Sequence, residues 1–213
     1  MGRGGSGACL GWWRAVTPAA WVLSLILSLP PVLPMPGWAE TPDARSARLA
    51  RIADEIAATV YGAPGVDPSP GLVVGGPDAT AARLVAVAYH ESGFAADVYA
   101  GRCWRGRLGN GGRCDSGRAV SIFQLRLSGP TREGWVGADF ATDPRRAVVV
   151  ALRLIRGSQG CGRRGGASAE LEAYASGRCG AGHHESAIRI ATAARLLAEH
   201  PRPAAVLPSG GRP

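Results

Sequence analysis

At 213 residues, with 46% hydrophobic and 19% charged side chains, the chain has the length of one domain and can bury a real core. Its net charge of +8 comes from arginine alone, since no lysine is present. Those arginines are scattered, and no interleaved aromatic pattern accompanies them, so nothing beyond charge points to nucleic acid and none is expected as a partner.

The first 39 residues read as an export signal. Arg3 and Arg14 supply positive charge without an acid, Trp21 to Leu29 supply a short apolar core, and Gly37-Trp38-Ala39 offers small residues for cleavage before Glu40. Pro30, Pro31, Pro34 and Pro36 interrupt the roughly 20 apolar residues that a membrane span needs; an uncleaved N-terminal anchor is the alternative. Cys9 precedes the apolar core, so a lipoprotein anchor is not indicated. The mature protein is therefore expected to be periplasmic or secreted, with no integral span. Removing Arg3 and Arg14 from the 24 basic residues leaves a net charge of about +6. An exported basic domain suits an anionic partner such as cell-wall polymer, outer-membrane lipid or a secreted polyanion. An arginine-rich compositional habit accounts for the same charge.

Residues 40–77 are expected to form an N-terminal helix and a Pro/Gly-rich loop. Thr41-Pro42-Asp43 starts the helix, Leu49, Ile52, Ile56 and Val60 share one face, and Gly62 stops it. The main domain, residues 78–200, begins with a helix capped by Asp78, with Leu84, Val85, Ala88 and Tyr89 on its apolar face. Gly93 ends that helix and leaves Glu91 in its last turn, where the helix dipole disfavours a carboxylate. Apolar neighbours such as Phe94 raise the carboxyl's pKa in the same direction, as a general acid requires.

Residues 95–118 are irregular, and Ala119 to Leu125 is either a strand or the lead into a helix. Gln124 is out of place in that apolar run unless it is hydrogen-bonded. Asp143-Pro144 opens a helix with Ala147, Val148, Ala151, Leu152 and Ile155 inward, up to Gly157. Gly160 to Gly166 reads as loop, Ser168 to Ser176 as a short helix ending at Gly177, and His184 to His200 as the last helix, with Ile188, Ala191, Ala194 and Leu197 on one side. The tail, residues 201–213, has the composition of a disordered segment.

Four cysteines remain after export, an even number that argues for two disulfides. The pairs Cys103–Cys114 and Cys161–Cys179 each close a local loop. Zinc would want Cys-x-x-Cys spacing, which is absent. His183-His184-Glu185 lacks the His-Glu-x-x-His pattern, so neither metal nor cofactor is expected.

Three segments, His90-Glu91-Ser92-Gly93-Phe94, Ser121-Ile122-Phe123-Gln124-Leu125 and Ala173-Tyr174-Ala175-Ser176-Gly177, resemble in order and spacing the motifs of the soluble lytic transglycosylase catalytic domain. The resemblance runs from about Ala79 to Leu197. It implies a mainly α, α+β lysozyme-like fold with a small irregular or β segment after the Glu91 helix. It also implies peptidoglycan strands as partner, and cleavage of the MurNAc–GlcNAc bond with 1,6-anhydro ends. Glu91 would be the catalytic acid/base; Ser92, Gln124 and Tyr174 would contact substrate, with Tyr174 reaching Glu91. Three positions depart from the pattern: Ser121 stands for glycine, Phe123 for methionine and Ala175 for asparagine.

Ordinary glycosidases use two carboxylates. The nearest acids after Glu91, Asp97 and Asp115, are expected in loop, and a lytic transglycosylase needs no second acid, because the substrate's own N-acetyl group assists. A lysozyme-type hydrolase and a non-catalytic wall-binding module are the alternatives on the same fold.

Overall fold

The computed structural model describes residues 16–32, 40–62, 71–101 and 119–203. The expected cleavage residues, Asp115 and the expected Cys103–Cys114 bridge lie outside the described residues, as does the tail from 204 onward. The described part is mainly helical with one small β element.

Three helices open it: α1 (Pro18–Leu27), α2 (Pro42–Tyr61) and α3 (Gly76–Ser92). Helix α2 starts as the sequence predicts. Thr41 Oγ1 accepts from Ala44 N–H at 3.2 Å, and Pro42 sits in the first turn, where its missing N–H is no loss. Leu49, Ile52, Ile56 and Val60 are buried together. Against this face lies α1, which buries Trp21, Val22, Leu25 and Ile26, and Trp21 Nε1 donates to His200 O at 2.8 Å. The apolar core of the expected signal is thus folded onto the domain. Among the described residues no helix is long and apolar enough to cross a membrane.

Helix α3 departs from expectation in two ways. The periodicity predicts one apolar face, yet Ala81, Ala82 and every residue from Leu84 to Ala88 are buried. A helix apolar all round belongs inside, and here α1, α2 and two later helices enclose it. Nor does Asp78 cap it. The helix begins two residues earlier, after Gly75 at φ +99°, and Asp78 Oδ1 instead accepts from Tyr61 OH at 2.7 Å. The other end is as predicted: Gly93, at φ +58°, donates its N–H to Tyr89 O at 2.7 Å.

After α4 (Ala96–Tyr99), the ambiguous apolar run proves to be a hairpin. β1 (Ala119–Val120) pairs antiparallel with β2 (Leu125–Arg126), Ala119 opposite Arg126 and Val120 opposite Leu125. Residues Ser121 to Gln124 form its turn. Then come α5 (Asp139–Thr142) and α6 (Pro144–Ser158). Asp143 Oδ1 caps α6 through Arg145 N–H at 3.2 Å, and the five predicted inward residues are buried. The glycine-rich stretch expected to be loop continues instead as a 3-10 turn, Gln159–Cys161, and a single α turn, α7 (Gly162–Gly165). α8 (Glu172–Ser176) ends at Gly177, φ +82°. The disulfide Cys161–Cys179, with Cα atoms 5.2 Å apart, ties the 3-10 turn after α6 to the loop after α8.

The last helix, α9 (His183–Glu199), packs along α3. Its inward residues are Ser186, Arg189, Ala193 and Leu196, whereas Ile188, Ala191 and Ala194 of the predicted stripe are exposed. Polar partners set this rotation. Ser186 Oγ donates to Ser168 O at 2.5 Å and accepts from Leu171 N–H at 2.9 Å, and Arg189 meets Glu91.

Candidate active site

Glu91 closes the last turn of the enclosed helix, so its backbone is fixed by core packing while its side chain reaches a rim. It faces an open cleft of about 560 Å³, a volume typical of small-ligand sites. Gln124, Arg126, Leu154 and Tyr174 supply further walls. Three of the expected site residues, Glu91, Gln124 and Tyr174, therefore meet in one place. Ser92 does not join them: it is buried, donating from Oγ to Ala88 O at 3.0 Å and accepting from Phe94 N–H at 3.2 Å. Its work is to finish the helix.

Backbone strain is held at three described positions, one of which, Gln124, lines the cleft. Among the described residues, the non-glycine residues in the left-handed region are Phe94 (φ +54°), Ser121 (φ +64°) and Gln124 (φ +48°). Such conformations cost about 1–3 kcal/mol each and persist where the surroundings fix them. Phe94 is fixed by Arg48, whose Nη1 donates to Phe94 O while Nε and Nη2 grip Glu40 at 2.8 and 2.6 Å. Ser121 and Gln124 are fixed by their own turn. Gln124 N–H and Nε2 both donate to Ser121 O at 3.0 Å. At Ser121, where the resembling motif has glycine, the observed φ explains why glycine suits the position.

Tyr174 braces this turn from α8. Its OH donates to Phe123 O at 2.6 Å, and its N–H donates to Ser158 Oγ at 3.1 Å. The phenol is thus engaged with a turn carbonyl, not hydrogen-bonded to Glu91. Burial and, next, the nearby Glu91 charge push its pKa well above the tyrosine range, so it stays a donor.

Burial also pushes the Glu91 carboxyl above the usual glutamate range. The charge of Arg189 and its hydrogen bond, Nη2 to Oε1 at 2.7 Å, pull it back, and burial wins. The direction matches the expectation, but Arg189 escapes sequence reasoning. It lies 98 residues from Glu91, and nothing distinguishes it there from Arg195, which pairs with Glu199 on the exposed side of the same helix.

The histidines lie elsewhere. His90 Nε2 is 2.8 Å from Thr192 Oγ1, and burial, then Arg189, holds its pKa low. His183 Nδ1 is 2.8 Å from Glu172 Oε1; Glu172 also accepts from Gly180 N–H at 2.6 Å, and these bonds keep its carboxyl below the usual range. Among the described residues no group of three or more His, Cys, Asp or Glu is arranged to hold a metal ion.

Chemically, the cleft offers one protonatable carboxyl, a tyrosine and an amide on one wall, and a half-exposed Leu154 as apolar surface. Among the described residues that line it, Glu91 is the only acid. No family model matches the chain, and no curated protein or solved structure matches it significantly.

Proposed function

We propose that the protein is an exported peptidoglycan lytic transglycosylase on a lysozyme-like fold, working with a single acid. The observation that carries this reading is the partly buried Glu91 carboxyl, the one acid among the described residues lining a cleft that it shares with Gln124 and Tyr174. Protonated Glu91 gives its proton to the glycosidic oxygen as the C1–O bond breaks, and the bonding electrons leave with that oxygen. The substrate's N-acetyl oxygen assists at C1. The Glu91 carboxylate then takes the proton of the muramyl 6-hydroxyl as O6 closes on C1, which yields the 1,6-anhydro end and restores the acid. Gln124 and the Tyr174 wall hold the sugar. The Cys161–Cys179 disulfide is compatible with export, and the first 39 residues serve as the cleaved signal in this reading.

Mass spectrometry of fragments released from purified peptidoglycan by the full chain, and by residues 40–213 where these fold, tests the proposal. Anhydro ends support it, reducing ends indicate a lysozyme-type hydrolase, and binding without release indicates a non-catalytic wall-binding module. Glu91→Gln lowers release by about 100-fold or more while the fold is retained. Full activity of that variant refutes the assignment of the acid.

A further inference from the structure

Arg189 approaches Glu91 from behind. Its side chain is about a tenth exposed and is not among the walls of the cleft, whereas Glu91 is. Nη2 donates to Oε1 at 2.7 Å; among the described residues Oε2 receives no hydrogen bond, and the buried Nε of Arg189 finds no acceptor. One carboxylate oxygen is therefore tied to the core side, and the other is left for whatever occupies the cleft.

We propose that Arg189 is a positioning residue for the proton transfer: it clamps Oε1 so that Oε2 meets the glycosidic oxygen, and it supplies the counter-charge when the proton leaves. The inference rests on the glycan-cleaving reading above. As Glu91 gives up its proton, the carboxylate forms beside a guanidinium that is always charged. When the 6-hydroxyl proton returns, the carboxyl is neutral again and the same bond to Oε1 remains. Burial favours the neutral carboxyl and the guanidinium favours the carboxylate, so the two act in opposite directions on the same proton.

The other groups around Glu91 do not duplicate this role. Tyr174 on α8 stays protonated and spends its donor on Phe123 O. His90, next to Glu91 on α3, turns to Thr192 and is held neutral at neutral pH. Arg126 on β2 lines the cleft itself rather than the core side.

The test follows titrations in the full chain by NMR, with the Glu carboxyl carbons and the Arg side-chain nitrogens labelled. In the unmodified protein the Arg189 Nη signals and the Glu91 Cδ signal shift with one common midpoint. Arg189→Met raises the proton affinity of Glu91 about tenfold or more. It also moves the alkaline limb of kcat on peptidoglycan to higher pH, and lowers kcat far more than it changes KM. Arg189→Lys returns the midpoint toward the original but restores only part of kcat, because an ammonium lacks the planar fork. Arg195→Gln, exposed on the same helix, leaves the Glu91 midpoint in place. Arg189 Nη signals that stay flat through the Glu91 titration overturn the proposal without any variant having to fold. So does a folded Arg189→Met protein with an unmoved midpoint. Linked titrations in a chain that releases no glycan fragments remove the role together with the reading it rests on. Release with unlinked titrations removes Arg189 alone.

Discussion

Replacing Tyr174 with Phe isolates one hydroxyl. The ring is kept, so no cavity opens, and among the described residues the one hydrogen bond of that hydroxyl is the 2.6 Å donation to Phe123 O. Phe123 is fully buried, so its carbonyl loses its donor in a place water does not reach. A net hydrogen bond contributes about 0.5–1.5 kcal/mol, and a stranded buried acceptor costs about 1–3 kcal/mol. The variant is therefore expected to be about 2 kcal/mol less stable at neutral pH. For a domain of this size that lowers Tm by about 4–8 °C. Urea unfolding at pH 7 with an unchanged m-value measures it. The same hydroxyl carries a pH signature. Its folded pKa lies above the unfolded value, so its contribution is fully present below about pH 10 and is lost as pH rises through the folded pKa. The variant should lack this component of the alkaline loss. Stability within 0.5 kcal/mol of the parent, together with an unchanged alkaline limb, refutes the bracing role given to Tyr174.

Three further perturbations probe the same architecture. Replacing Cys161 and Cys179 together with Ala removes a crosslink spanning 18 residues and lowers stability by about 3 kcal/mol; a urea midpoint equal to the parent's contradicts this. The raised Glu91 pKa means that its contribution to folding is fully present below the unfolded carboxyl pKa and lost as pH rises through the folded one. Relative to Glu91→Gln, the parent should thus gain stability as pH falls, and a difference that stays constant from acid to neutral pH, followed by thermal unfolding, rules this out. Ser121→Gly should stay within about 1 kcal/mol of the parent, because it trades left-handed strain for flexibility. Ser121→Val should cost about 2 kcal/mol or more at φ +64°, and equal stability of the two variants disproves the strain.

What the sequence made legible follows from how strongly each segment advertises itself. Helices α2 and α6 carry Thr41 and Asp143 caps, first-turn prolines and branched aliphatic stripes, and both fold where those signals stand. In α3 the alanines at 81, 82, 86 and 88 erase the amphipathic pattern, so its enclosure on all sides is invisible until its neighbours are known. The hairpin turn hides for a different reason: Ser121 and Gln124 adopt the left-handed conformation that glycine or asparagine would have announced. Helix α9 misleads, because Ile188, Ala191 and Ala194 of its apolar stripe face water, Leu197 alone of that stripe packs against the core, and the hydrogen bonds of Ser186 and Arg189 choose the inward face. Within the site, Glu91, Gln124 and Tyr174 stand in recognisable local motifs. Arg189 comes from tertiary pairing alone, and no local pattern records that.

The enclosure of α3 also divides the molecule by its motions. A helix buried around its circumference opens only when much of the fold opens, so its amides belong among the slowest to exchange with solvent. The opposite wall hangs on two-residue strands, a strained turn and a five-residue helix, and such pieces open locally at small cost. The carboxyl thus stays stationary while the wall bearing Gln124 and Tyr174 breathes. Under the proposed glycan-cleaving reading, a long polymer strand can then be admitted and let go without the acid leaving its place.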